Sequence, residues 1–347
     1  MSKPRTHIAV IRLSAMGDVA MTVPVLLGLV KQYPDVKITV VSKAFFKPIF
    51  SAIPNVDFAS VHTHHRHKGL LGLYRLYIDL KSKNITHVAD LHNVLRSKIV
   101  RTLFALSGKK VAFTDKGRAE KKELTRLEAK QIQPLKTMFQ RHVETFQKLG
   151  FDIDLNEPVF LQKEAIPLKV THLVGEKKER WIGIAPFAHH DRKKYPLDLM
   201  QQVVEGLASD KTVKILLFGG GLHEKKLLDT MASGLSNVYN LAGNVSFDSE
   251  LHVISNLDVM LSMDSGNAHL AAMYGIETIT LWGATHPFAG FTPFNQPFLN
   301  GLISDRTKYP FLPTSVYGNK NVPGYEDAMR TILPGTVIAK VRSALQQ

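Results

Sequence analysis

The chain contains no cysteine among its 347 residues. That absence excludes disulfides, thiolate zinc sites, iron–sulfur clusters and a cysteine nucleophile, and leaves any covalent chemistry to oxygen and nitrogen. Long apolar runs are lacking too. Spanning a bilayer takes roughly 20 consecutive apolar residues, and the best stretch, Val19 to Val30, is short and carries Thr22 and Pro24. The opening MSKPRTHIAVIRL has basic residues and a strand-length apolar run but no small-residue cleavage site, so it does not read as a signal peptide and a cytoplasmic location is expected. Acidic residues are scarce in the first part of the chain. Residues 1–150 hold 26 Lys and Arg against 10 Asp and Glu, whereas residues 151–347 hold 18 against 20. The net charge of +14 therefore sits almost wholly in the first half, where it would draw in nucleic acid, a phosphorylated glycolipid or an acidic membrane surface. What is present is globular in character: 44% hydrophobic residues, 21% charged residues, a mean hydropathy of −0.04, and length enough for two domains.

Periodicity predicts a strand over His7–Leu13, a tight turn at SAMGD, and one helix over Val19–Tyr33 with Pro24 near its first turn. Further strands are expected at Val36–Ser42, Val56–Val61 and Thr86–His92, with helical segments at Ala44–Ser51, Leu70–Lys81 and Leu95–Leu106. Such alternation argues for a parallel sheet covered on both faces, a Rossmann-like arrangement, because each parallel crossover needs a returning helix. The polar stretch from Phe151 to Arg180 reads as the interdomain linker. A second series follows, with strands at Trp181–Phe187, Val213–Gly219, Asn237–Leu241, Asp258–Met263 and Thr278–Trp282. Helices fit at Leu197–Ser209, Glu224–Leu235, Ser249–Ser255 and Ala268–Tyr274, and a last amphipathic helix at Thr336–Leu345. The intervening Gly283–Leu333 is poorly periodic, and loops that long are usually functional or wrap another element. Domains are thus expected at 1–160 and 161–334, with a C-terminal helix over 335–347; no internal sequence repeat is found.

Two Rossmann-like halves invite a dinucleotide enzyme, yet both phosphate turns fail that fingerprint. The turn LSAMGDVAM has the single glycine Gly17, and no acidic residue ends the second strand, where VVSKAF follows. The turn FGGGLHEKK has Glu224 where a third glycine should fall, and no Walker A sequence occurs. Glycines at a strand-to-helix turn still let backbone N–H groups approach a phosphate, so a nucleotide fits without a dehydrogenase.

Five segments in order, IRLSAMGDVAMTVPVL, ADLHNVLRSK, PFAHHDRKKYP, FGGGLHE and LSMDSGNAHLAAMYG, resemble glycosyltransferase family 9, the bacterial lipopolysaccharide heptosyltransferases. The resemblance spans most of the chain. It implies an α/β GT-B fold, two Rossmann-like domains facing across a cleft with acceptor on the first and nucleotide sugar on the second. It further implies inverting, metal-independent transfer, with no cofactor beyond the nucleotide-sugar donor as substrate. The partners it implies are a nucleotide-diphosphate sugar, with ADP-heptose the expected donor, and an anionic inner-core glycolipid acceptor. Peripheral contact with the inner face of the inner membrane, and no nucleic acid, complete the expectation. Many relatives carry cysteines in the region of YPFLPTSVYGNKNVPGYEDAM, and this chain has none, so no role of theirs carries over. The alternatives are another GT-B nucleotide-sugar enzyme such as an epimerase, or a nonenzymatic binding module for anionic glycolipid.

Inverting transfer needs a base for the acceptor hydroxyl and a holder for the departing diphosphate. Asp18 is the candidate base; its plain structural alternative is a helix N-cap. Lys193 resembles the family lysine before an aromatic-Pro pair, here Tyr195-Pro196, although Lys193 or Lys194 could hold that place; otherwise RKK is a solvated run opening a helix. Asp264, Ser265, Gly266 and His269 form the most distinctive cluster. Backbone N–H groups at Ser265 and Gly266 would hold diphosphate and Asp264 a sugar hydroxyl, against a simple N-cap for Ser265 and a packing role for His269. Glu224 is a candidate for the donor ribose, or else a first-turn carboxylate favoured by the helix dipole. His189, His190 and Asp191 could line the phosphate site, and Arg96 and Ser97 could touch the acceptor. HTHHRHKG, residues 62–69, lacks regular ligand spacing, so no metal is expected. The basic amphipathic stretch that follows, GLLGLYRLYIDLKSK, could lie on an anionic bilayer, or form an ordinary domain helix.

Overall fold

The computed structural model describes residues 6–128 and 130–346. The chain divides into two compact units, one of Met1–Gly117 and Thr137–Leu161, the other of Arg118–Lys136 and Gln162–Gln347. In the first unit β1 (His7–Ile11), β2 (Lys37–Ser42), β3 (Val56–Ser60), β4 (His87–Asp90) and β5 (Lys110–Phe113) form a parallel sheet in the order β3-β2-β1-β4-β5. Every residue of β1 is buried, which is why it reads as an unbroken apolar run rather than an alternating one.

Helices α1 (Met16–Ala20), α2 (Val23–Gln32), α3 (Gly69–Lys81) and α4 (Leu95–Leu106) connect these strands. The single helix expected over Val19–Tyr33 is two. Pro24 has no N–H to offer the carbonyl of Ala20, and its ring crowds that carbonyl, so α1 stops there and α2 restarts with Pro24 in its first turn. Leu73, Leu76, Tyr77 and Leu80 of α3 pack with Val100 and Phe104 of α4 against Ala9, Ile11, Val41 and Val88 of the sheet. The chain then makes α5 (Arg118–Leu124) within the second unit and returns to the first as α6 (Met138–Gln147). The 118–136 excursion is stitched to the second unit by Lys130, whose Nζ donates to the carbonyls of Arg126, Phe311 and Pro313 at 2.6, 3.0 and 2.7 Å. Burial, and then the cations Arg306, Arg126 and Lys320, push that ammonium down to about 8.

In the second unit the strands are β6 (Arg180–Ala185), β7 (Val213–Leu217), β8 (Val238–Asn240), β9 (Val259–Met263), β10 (Glu277–Trp282) and β11 (Gly301–Ile303), all parallel in the order β11-β10-β9-β6-β7-β8. The helices are α7 (Leu168–Val174), α8 (Leu197–Ala208), α9 (Gly221–Ala232), α10 (Phe247–Ile254), α11 (Gly266–Ala272) and α12 (Pro334–Ala344). The expected linker over Phe151–Arg180 holds α7, and the units part after Leu161 and again around 118–136, where the sequence suggests one boundary near residue 160. Recounted on these units, charge is less lopsided: 20 Lys and Arg against 10 Asp and Glu in the first, 24 against 20 in the second. Among the described residues no helix is long and apolar enough to cross a membrane.

Both sheets reverse their winding at a central strand. From β1 the chain moves outward through β2 and β3, then crosses back to β4; from β6 it moves through β7 and β8, then crosses back to β9. The loops leaving β1 and β4, and those leaving β6 and β9, therefore diverge at the carboxyl edge of each sheet, the place where open parallel sheets bind ligands.

The C-terminal helix is part of the second core. Val337, Val341 and Ala344 of α12 are buried with Val203, Val204 and Leu207 of α8. Val337→Ala and Val341→Ala should each cost about 1–3 kcal/mol of stability through lost contacts and the cavity left behind. Urea melts followed by tryptophan fluorescence check this; variants as stable as the wild type would show a helix lying loosely on the surface.

Candidate functional site

In the first unit the site grows from the end of β1. Arg12, only 5% exposed, is held by three partners: Nε donates to the Ser14 carbonyl at 2.9 Å, Nη1 to the Leu91 carbonyl at 2.6 Å, and Nη2 pairs with Oδ2 of Asp18 at 2.5 Å. Leu91 follows β4, so one guanidinium ties the two diverging loops together. Asp18 is the third residue of α1, with Ala15 at the N-cap position, and its carboxylate accepts the Ala15 N–H at 3.2 Å. The N-cap alternative is thus corrected: the side chain reaches back from the first turn, and remains part-exposed.

β4 ends in Asp90, fully buried, which accepts the N–H groups of His92 and Asn93 and a guanidinium N–H of Arg101 at 3.1, 2.7 and 3.0 Å. His92 sits beside Arg12 and Asp18. Burial, then the charges of Arg12 and Lys116, push its imidazole down to about 3, so it is neutral across the physiological range. Arg96 is exposed in the first turn of α4. Ser97 is 1% exposed, and its hydroxyl both accepts the Val94 N–H and donates to the Val94 carbonyl, each at 3.0 Å. Of the two residues considered for acceptor contact, the structure spends Ser97 on the helix end and leaves Arg96 facing solvent.

In the second unit the sequence left Lys193 and Lys194 interchangeable, and the structure separates them. Lys193 Nζ pairs with Oδ2 of Asp264 at 2.8 Å, with side chains 16% and 7% exposed; Lys194 turns away to Asp191 at 2.7 Å. Lys193 leaves β6 and Asp264 follows β9, so this pair spans the second switch point. RKK opens no helix: Asp191–Lys193 is a single tight turn, and α8 begins at Leu197. Two features lock Lys193 in place. The Tyr195 hydroxyl, buried just beyond it, donates to the Ile332 carbonyl at 2.6 Å. The backbone of Gly318, with φ of +75°, lies so close that a Cβ there would fall 2.4 Å from Lys193 Cγ. Gly318 belongs to the unperiodic segment, where the only sequence signal is a Tyr-Gly-Asn turn.

Ser265 is the N-cap residue of α11, but its hydroxyl bonds that of Ser262 at 3.0 Å instead of capping. Gly266 opens α11, and His269 is buried on the same short helix. Glu224 lies in the opening turn of α9, where Oε2 accepts the Gly220 N–H at 2.7 Å and stands 3.2 Å from where a Cβ on Gly219 would be. His189 and His190 pack ring edge to face at 4.6 Å, and burial followed by the neighbouring His189 and Lys193 lowers the His190 imidazole. Of the 62–69 histidines, His67 is buried with Nδ1 accepting the His62 N–H and Nε2 3.3 Å from Asp79, while His62, His64 and His65 are exposed.

The sequence pattern described as Glycosyltransferase family 9 (heptosyltransferase) matches residues 73–313. The chain is 25% identical over 337 residues to a lipopolysaccharide heptosyltransferase 1 of Campylobacter coli, covering 87% of this chain and 92% of that one. A crystal structure of a family 9 glycosyl transferase from Veillonella parvula superposes with a TM-score of 0.74 at 18% identity over 100% of this chain and 99% of that one. The E. coli heptosyltransferase WaaC solved with ADP gives 0.70 at 19% over 98% and 100%. With two doubly wound units, these likenesses establish the GT-B fold.

Burial of neutral histidines makes the fold acid-sensitive. His92 is held at about 3 and His286, buried near Arg306 and Lys130, at about 4, so below pH 6.5 the unfolded chain takes up protons that the folded chain refuses, and stability falls as pH drops through that window. Between pH 7 and pH 5 each histidine should account for about 1–2 kcal/mol of lost stability. Denaturant melts of His92→Gln and His286→Gln at both pH values check this. A wild-type loss unchanged in both variants would contradict it.

Proposed function

The chain belongs to glycosyltransferase family 9, and from that premise we propose that it transfers heptose, with inversion, from ADP-heptose to an inner-core lipopolysaccharide acceptor. The observation that carries the proposal is the Lys193–Asp264 pair at the carboxyl edge of the second sheet. A half-buried, ion-paired ammonium at a switch point is suited to the negative charge that builds on a departing diphosphate.

In this reading the acceptor hydroxyl gives its proton to Asp18 as its oxygen bonds to the anomeric carbon, and the carbon–oxygen bond to the diphosphate breaks on the opposite face. The leaving electron pair stays on the diphosphate, held by Lys193 and by the N–H groups of Ser265 and Gly266. Glu224 receives the ribose hydroxyls, Asp264 and His269 orient the sugar and the lysine, and Arg96 meets the anionic acceptor. Lys194, occupied with Asp191, has the lesser part. No step in this scheme calls on a metal ion. An acceptor bearing acyl chains implies peripheral work at the inner face of the inner membrane. The relative from Campylobacter coli named above supports the acceptor class, and the WaaC complex with ADP supports the nucleotide.

Asp18→Asn preserves shape and should lower kcat by roughly a hundredfold or more, with some loss of stability from the broken ion pair to Arg12. Unchanged turnover would leave Asp18 a structural role, through its contacts with Arg12 and Ala15. Lys193→Ala should weaken ADP binding and turnover together, whereas Lys194→Ala should change each less than about threefold; equal losses in the two variants would contradict the assignment. EDTA should leave the rate intact, and loss restored by a divalent cation would overturn the metal-free scheme.

A further inference from the structure

Helix α3 is apolar on two faces. Leu73, Leu76, Tyr77 and Leu80 fill the core, while Leu70, Leu71, Tyr74 and Ile78 are 72, 77, 51 and 43% exposed. Leu70, Tyr74 and Ile78 stand four residues apart, with Leu71 beside them, so the exposed four form one stripe along a helix about 20 Å long. A soluble surface helix ordinarily turns polar residues outward. Here polar character is confined to the flanks and is cationic: residues 62–83 hold Arg66, Lys68, Arg75, Lys81 and Lys83 against a single acid. That acid, Asp79, is taken up by Arg66 in a two-pronged bond of 3.0 and 2.7 Å.

From this pairing of an outward apolar stripe with basic flanks, we propose that α3 and the loop before it dock on an anionic phospholipid bilayer, the leucines and Ile78 entering the acyl boundary with Tyr74 at the headgroup level. The charge pattern selects this occupant. A second copy meeting the same face would bring like charges together across a two-fold axis, whereas an anionic leaflet offers both an apolar layer and the opposite sign.

Position gives the docking a use. The loop before α3 leaves the carboxyl end of β3, the same sheet edge that carries Arg12 and Asp18 after β1, two strand spacings or about 10 Å away. A bilayer touching this loop presents lipid headgroups near the candidate base. The docking stands on the surface alone; only the delivery of an acyl-bearing acceptor rests on the proposed transfer reaction.

The test is flotation of the full chain with vesicles of phosphatidylcholine, with and without about 30% phosphatidylglycerol, in salt from about 50 to 300 mM. The wild type should bind the anionic vesicles and be released by salt. Leu71→Ser/Ile78→Ser, both at exposed positions, should lower partitioning by about tenfold or more with an unchanged thermal melt. Arg75→Gln/Lys81→Gln should lower it comparably and flatten the salt dependence. Binding unaltered in the serine variant, or equal binding to both vesicle types, would overturn the proposal. So would a lipid-free dimer that the serine variant splits, since that assigns the face to a second copy. These outcomes are read without turnover. If the transfer proposal also holds, the serine variant should lose activity on vesicle-embedded acceptor while keeping it on a short, soluble one.

Discussion

Lys193 and Asp264 meet at 2.8 Å in a place where water is largely excluded. An unpaired charge there would be costly, and pairing alone does not make a buried ion pair stabilising. The value of the arrangement lies in what it keeps ready. The carboxylate fixes where the ammonium points, and in the proposed reaction a diphosphate would meet a counter-charge already in position, with little reorganisation needed to stabilise it. Topology makes the pair possible: the lysine comes from the loop after β6 and the aspartate from the end of β9, adjacent strands whose loops diverge. The first sheet carries an ion pair of the opposite burial, with the cation inside and the carboxylate toward the surface. There the buried cation, Arg12, ties the loops after β1 and β4 together and pairs with the part-exposed carboxylate of Asp18, the base of the proposed reaction.

Much of the surrounding structure serves to hold these two pairs. Tyr195 ties the chain just after Lys193 to Ile332, and Ala284 N–H reaches the Arg192 carbonyl at 3.1 Å. Thr314 and Ser315 in turn both donate to the Ala284 carbonyl. The unperiodic segment after β10 therefore wraps and supports the lysine loop, with the backbone of Gly318 close against the Lys193 side chain. Around Asp18, the neutral His92 adds no third charge to the Arg12 pair. A reactive group positioned by buried neighbours is more reproducible than one carried on a loop alone.

The alternation of strands and helices was legible because fully buried parallel strands show as apolar runs; α4 spans Leu95–Leu106 in sequence and structure alike. What escaped were elements whose definition comes from tertiary contact. β5 and β11 are edge strands of four and three residues, too short to carry a period. Residues 118–136 belong to the second unit because Lys130 and Leu135 bond backbone atoms of residues 288–313, contacts that no local pattern announces. At the site, the motifs located Asp18, Lys193, Glu224 and Asp264 at strand ends or in the first turns of the helices that follow. They could not choose Lys193 over Lys194, since that depends on which side chain the tight turn directs inward. Nor could they give Ser97 and Ser265 their actual partners, or reveal Arg12, whose buried guanidinium looks from sequence like the ordinary polar end of a strand.

The proposed reaction is a direct displacement at the anomeric carbon, assisted by the carboxylate of Asp18 and the ammonium of Lys193. Its most direct test is the anomeric configuration of the product, read by NMR coupling after incubation of the purified chain with ADP-heptose and an inner-core acceptor. The expected result is release of ADP only when acceptor is present, and a glycosidic bond of configuration opposite to that of the donor. Retention of configuration, or nucleotide release that ignores the acceptor, would contradict it.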